Sequence, residues 1–130
     1  MFHDKFNKEG KMTTTMIGST TAVDAIGRVS HEAHRAYCII LGDPPLPGWD
    51  EVEEIYREST RVGVRKALEG NTPEKSHESW MAEQQSQGWV FGAPLDRQRK
   101  IHPNLVPYDM LPSEQKVKDR LFLAILSALK

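Results

Sequence analysis

Between Gly42 and Gly48 the chain reads GDPPLPG, three prolines within four positions and a glycine at each end. Glycine permits a left-handed helix cap, and each proline removes a backbone donor and clashes with the turn before it, so no helix runs through this stretch. It is a stiff turn that closes one helix and leads into another. Whatever the chain folds into, its long elements lie on either side of this break.

Upstream, Val23, Ile26, Val29, Ala33, Ala36, Tyr37 and Ile40 recur at three- and four-residue steps, which predicts a helix from about Val23 to Gly42 with these residues as its buried stripe. Downstream, a second helix is predicted over about Trp49 to Leu68. Its stripe is Val52, Ile55, Tyr56, Val62 and Leu68. Acids lead it (Asp50, Glu51, Glu53, Glu54) and bases follow (Arg57, Arg61, Arg65, Lys66), an order that suits the helix dipole and allows pairs such as Glu53–Arg57. Gly63 in its middle costs about 1 kcal/mol against alanine and marks a close helix contact. Thr72 and Pro73 cap and open a third helix carrying His77, Trp80 and Met81, which stops at Gly88.

The segment WVFGAPLDRQRKIHPNLVPYDMLP then reads as short extended pieces joined by Gly and Pro turns, with at most a small hairpin. Pro112 opens a final helix with a stripe of Val117, Leu121, Ala124, Ile125, Ala128 and Leu129, widened by Phe122 and Leu126. The expected fold is mainly α: one domain over residues 22–130, about four helices, and a short β hairpin or extended segment before the last of them. Residues 1–21 lack periodicity and are expected to form a flexible leader.

Composition bounds the function. With 130 residues, 38% hydrophobic and 27% charged, the chain has the profile of one soluble domain. A net charge of -1 provides no general attraction to nucleic acid or to an anionic membrane, so neither is expected as a partner. Cys38 is the single cysteine, which excludes an internal disulfide. The N-terminus has no secretory h-region, and the run LFLAILSAL is far short of the roughly 20 residues that span a bilayer. A cytoplasmic location is expected.

Three groups of residues could carry chemistry. In SHEAHR, His31 and His34 lie one helical turn apart and could ligate a metal, but the spacing is not that of the zinc proteases and nothing fixes a third ligand. A hydrolase using them with His77 or His102 is the weakest reading, and neither a metal nor a cofactor is expected. Cys38 sits in an apolar helix, the setting of an inert thiol, and neither a nucleophile elbow nor a phosphate-binding glycine loop occurs. No enzymatic activity is expected. The third group lies between His77 and Tyr108. Trp80, Trp89, Phe91 and Tyr108 flank the basic turn DRQRKIHP, with Asp96 against Arg97, Arg99 and Lys100. Aromatic faces beside guanidinium groups suit a planar anionic ligand; the same residues also suit a small aromatic core under a solvated turn.

That segment resembles the RyR domain, the repeat of ryanodine receptor calcium channels, which also occurs in stand-alone bacterial and bacteriophage proteins. The matching features are His77-Glu78-x-Trp80, Gly88-Trp89-Val90-Phe91-Gly92, Asp96, and His102-Pro103-x-Leu105-Val106-Pro107-Tyr108-x-x-Leu111-Pro112, followed by a closing helix. The resemblance implies a non-enzymatic helical binding module. It implies an adenine nucleotide in a cleft between paired repeats, with Trp80 in the position of the ligand-facing tryptophan and Trp89 in the structural one. A single repeat would complete such a cleft by homodimerising. One departure concerns phosphate: where the family commonly reads Gly-Pro-Val-Arg-Asp, this chain has Gly92-Ala93-Pro94-Leu95-Asp96, leaving Arg97 or Arg99 to compensate.

The expected function is therefore recognition of a small aromatic or purine-nucleotide-like ligand, or of an unidentified protein partner, through a Trp-lined cleft. The ligand-binding residues expected are His77, Trp80, Gln84, Asp96, Arg97, Arg99, His102 and Tyr108. The alternative is a protein-interaction or regulatory module that needs no small molecule.

Overall fold

Helix α1 is Thr20–Leu41, and it ends where the glycine and prolines end it. Gly42 takes φ +79°; its N–H donates to the Ile39 carbonyl at 3.2 Å, and the N–H of Asp43 donates to the Cys38 carbonyl at 2.9 Å. The last carbonyls of the helix are thus satisfied by a left-handed cap that a β-carbon would strain. The computed structural model describes residues 20–130. The leader expected over residues 1–21 lies outside the described residues except for Thr20 and Thr21, which already belong to α1.

Helix α2 spans Glu54–Leu68, five residues shorter at its start than the acidic pattern predicts. Residues 48–52 instead form a tight turn in which the N–H groups of Glu51 and Val52 both donate to the Gly48 carbonyl. Tertiary contacts override helix propensity here. The Trp49 ring is buried against α1, and its backbone N–H donates to the Glu32 carboxylate at 2.8 Å, a bond unavailable to a residue inside a regular helix turn at that place. Arg57 correspondingly meets Glu54 and the Trp49 carbonyl rather than Glu53.

Helix α3 is Pro73–Ser86, with Pro73 in its first turn and the Thr72 hydroxyl accepting the Lys75 N–H at 3.2 Å, as the capping residues predict. Strands β1 (Val90–Phe91) and β2 (Ile101–His102) follow, then a 3-10 turn at Tyr108–Met110 and helix α4, Ser113–Leu129. The two strands pair in parallel, Val90 opposite Ile101 and Phe91 opposite His102, rather than as the hairpin expected. The intervening loop explains the difference. Asp96 and Ile101 exchange both backbone hydrogen bonds at 2.9 Å as an antiparallel bridge, so the chain reverses twice, once before Asp96 and once between Asp96 and Ile101, and β2 runs the same way as β1.

The core sits where α1, α2 and α4 meet. Ala22, Val23 and Ile26 of α1, Val64 and Ala67 of α2 and Leu126 of α4 are buried together, with Phe122, Leu123 and Leu129 packed around them. Burying each larger aliphatic side chain stabilises by about 1.5–3 kcal/mol. The helix faces differ from those the periodicity selects. Val29 and Ile40 of α1, Ile55 of α2 and Val117 of α4 are exposed, as are Ala36, Ala124 and Ala128, while Ser30, His31 and Cys38 are buried. Each helix carries apolar residues on more than one face, and the contacts between helices decide which face is covered. A β-carbon on Gly27 would lie 3.1 Å from the Trp49 ring, and one on Gly63 would lie 3.8 Å from the Phe122 ring. Gly63 faces α4 as expected of a helix contact, but a β-carbon there would meet Phe122 at ordinary van der Waals distance, so the approach is not unusually close.

Candidate ligand cleft

Within α3, residues 77, 80 and 84 share one face of the helix, so His77, Trp80 and Gln84 turn the same way. His77 is the anchor. It is buried, and its Nε2–H donates to the Val106 carbonyl at 2.7 Å, tying α3 to the segment after β2. That bond leaves Nδ1 facing Oδ2 of Asp119 on α4 at 3.7 Å. Burial pushes the Asp119 carboxyl up to about 6, with His77 pulling the other way. Below the ring of His77 lies Tyr108, centroids 6.2 Å apart, and beside it lies Trp80 at 5.5 Å and 33°.

His102 separates the two tryptophans of this region. Its ring stands edge-on to Trp80 at 5.0 Å and 77°, and it lies 6.0 Å from Trp89 on its other side. The Asn104 N–H donates to His102 Nδ1 at 3.0 Å, so the neutral ring carries its proton on Nε2. Burial, reinforced by Lys118 and Arg97, pushes the His102 ring down to about 4. Trp89 is buried, as expected of a structural tryptophan, and its N–H donates to the Gln84 carbonyl at 3.0 Å. Trp80 is only half-buried, because its outer surface lines a cavity of about 530 Å³ enclosed by all four helices and the β1–β2 loop.

Part of the cavity lining is polar and connected. Asn104 Nδ2 donates to Gln115 Oε1 at 2.7 Å, Gln115 Nε2 donates to Asp43 Oδ2 at 2.8 Å, and Lys118 Nζ donates to the same oxygen at 3.0 Å. The Gln115 amide, and then Lys118, hold the Asp43 carboxyl below its usual range. Arg97 reaches back across the mouth to donate to the Pro44 carbonyl at 2.8 Å. Leu95 also lines the cavity and presents an apolar surface there.

Five of the eight residues expected from sequence line the cavity together: His77, Trp80, Gln84, Arg97 and His102. The other three do not. Asp96 is used within its own loop, where Oδ1 accepts the Arg99 N–H at 3.1 Å. Arg99 is exposed, and Tyr108 is buried between His77 and the Lys116 ammonium, 5.4 Å from its ring. The two helix-borne histidines also part company. The Nε2–H of His31 donates to the Pro47 carbonyl at 2.8 Å and secures the proline turn, whereas His34 opens onto the cavity beside the Cys38 sulfur, 3.7 Å away. Among the described residues, no group of three or more His, Cys, Asp or Glu side chains is placed to hold a metal ion. Asp43, Asn104, Gln115 and Lys118 were not legible as site residues: Asp43 reaches partners 72 and 75 residues away, and no local pattern marks such a pairing.

The buried groups set opposite pH trends. The folded chain binds a proton on His102 less well than the unfolded chain, so that contribution is present above about 6.5 and is lost as pH falls toward about 4. Asp119 is the reverse: its proton is held better when folded, so its contribution is present at low pH and is lost as pH rises through about 6. Asp119→Asn, whose amide can donate to His77 Nδ1, is therefore expected to stabilise the protein at pH 7 by on the order of 1–2 kcal/mol after solvent screening. It should also make stability fall more steeply on acidification. Urea melts of both proteins at neutral and acidic pH check this; parallel pH profiles would contradict it.

The family model for the RyR domain matches residues 44–127. No curated protein and no solved structure matches the chain. No helix among the described residues is long and apolar enough to cross a membrane.

Proposed function

The chain belongs to the RyR domain family, and on that premise we propose that it is a non-catalytic binding module whose cleft takes a small planar, nucleotide-like ligand against Trp80. One observation carries this reading. Both tryptophans of the family motif line a 530 Å³ cavity, but Trp89 is buried while Trp80 stays half-exposed there, backed by His77 and flanked by His102. That volume lies in the range of small-molecule sites, and a ring held between imidazoles is a stacking surface for a planar compound. Catalysis finds little support in the same walls. Burial pushes the Cys38 thiol up, which keeps it protonated and unreactive at neutral pH.

A purine nucleotide is expected to quench the tryptophan fluorescence of the full chain. Trp80→Phe should fold and lose most of that response, since Trp49 lies outside the cavity and Trp89, although on its lining, is buried. Unchanged quenching in Trp80→Phe would overturn the reading. So would a panel of purine compounds that leaves the wild-type spectrum untouched.

A further inference from the structure

Four basic side chains from separate parts of the chain line the same cavity: His34 of α1, Arg97 of the β1–β2 loop, His102 of β2 and Lys118 of α4. Lys118 and Arg97 are felt by both imidazoles, and His102 also feels His34. The carboxylate that opposes them is Asp43, and its Oδ2 already accepts from both Lys118 and Gln115. Among the described residues Arg97 makes no ion pair; it donates one bond to the Pro44 carbonyl and keeps other N–H groups free for a partner. Around these two imidazoles two fixed cations thus act against one carboxylate; Lys66, Glu83 and Asp119 also line the cavity but are not among the charges that either ring feels. Such a surplus of donors and charge in a cavity suits an oxyanion.

We propose that this end of the cleft binds a tetrahedral oxyanion, the phosphoryl group of the ligand proposed above, through Lys118, Arg97, His102 and His34, and that binding loads a proton onto His34. The assignment rests on the cleft being a ligand site, and it divides the labour between the histidines. His102 is a fixed neutral donor: Asn104 N–H occupies its Nδ1, so a second proton there would break that bond and set two N–H groups against each other. His34 has no such constraint. Its ring nitrogens lie 3.7 and 3.9 Å from the Cys38 sulfur and hydrogen-bond to nothing else among the described residues. The charges acting on it are Lys118, His31 and Arg97 on one side and Asp43 on the other. An anion beside Lys118 and Arg97 cancels their repulsion and raises the affinity of His34 for a proton. His34 and Asp43 lie outside the matched span 44–127, so this part of the wall is supplied by the leading helix and its cap.

Sulfate is the appropriate probe, because its charge is constant between about pH 5 and 8 and any pH dependence then belongs to the protein. Histidine ring signals of the full chain are followed by NMR through a pH titration, with sulfate and with chloride at equal ionic strength. Burial, reinforced by Lys118, pushes the His34 ring down to about 4; sulfate is expected to raise that midpoint by about one unit, with affinity nearly constant from about pH 7.5 to pH 6 and about twofold higher at pH 5. His102 should change its chemical shift without acquiring a titration step. His34→Gln should keep the affinity seen at about pH 7.5 and lose its growth on acidification, while Lys118→Gln should weaken binding at every pH. The proposal is overturned if chloride moves His34 as far as sulfate does, if sulfate perturbs neither ring, or if His34→Gln retains the full pH dependence. An uncharged purine nucleoside, tested by fluorescence in the same samples, reports on Trp80 alone, so failure of the anion site and failure of the stacking reading are told apart.

Discussion

Trp49→Ala is expected to lower the unfolding free energy by about 3–5 kcal/mol, the range for truncating a buried aromatic side chain. Trp49 lies outside the helix predicted to contain it, yet it is 5% exposed and touches two helices. Its ring meets His31 of α1 edge-on at 5.6 Å, packs over Gly27, and carries the Arg61 guanidinium of α2 at 5.6 Å. Its backbone is fixed at both ends, N–H to Glu32 and carbonyl from Arg57 at 2.6 Å. Arg61 in turn joins Asp24 of α1 to Glu54 and Glu58 of α2. Removing the ring leaves a void that these bonds hold open, and a domain of this size has only about 5–15 kcal/mol in total. Trp49→Phe should lose less than half as much, since it refills most of the space. Urea denaturation measures both; a loss under about 1 kcal/mol for Trp49→Ala would mean that the ring is not the wedge between α1 and α2.

His77→Leu comes second, at about 2–4 kcal/mol, although the volume is nearly conserved and the new side chain is apolar. The cost is in what is left behind. The Val106 carbonyl loses a 2.7 Å donor, and the Asp119 carboxyl loses the ring nitrogen facing it. Buried polar groups without partners carry their full desolvation penalty. Adding Asp119→Leu should recover part of the loss, because it removes the orphaned carboxyl, and the coupling between the two sites is then measurable as a double-mutant cycle. Strict additivity would show that the two side chains do not interact. Ligand binding should weaken in His77→Leu as well, since this ring backs Trp80.

Comparison of chain and fold shows a consistent division. Pro44, Pro45 and Pro47, Thr72-Pro73, Gly88 and Pro112 located every helix boundary to within a few residues except the start of α2. These signals act through backbone geometry alone, and nothing distant has to be known to read them. Helix phase was harder. Val29, Ile40, Ile55 and Val117 fit an apolar stripe by spacing and are nonetheless exposed, because the helices pack through other faces, as at Gly27, where the Trp49 ring sits too close for a β-carbon. The strand pair was visible as two short extended pieces, but its parallel sense depends on the Asp96–Ile101 bridge inside the loop. For the cleft, His77, Trp80, Gln84, Arg97 and His102 were legible from motif and helical spacing. Asp96, Arg99 and Tyr108 share that motif but serve the loop and the core.

By itself the sequence determined the family, the four helices, their order and the burial of Trp89. Those features follow from backbone constraints and from a motif whose residues lie close together in the chain. Only the tertiary structure decided which helix faces are buried, how the strands run, and that Asp43, Gln115 and Lys118 join in one hydrogen-bonded part of the cavity lining. Side chains more than 70 residues apart meet there because α1 and α4 pack together, and no local rule of propensity or periodicity encodes such a meeting.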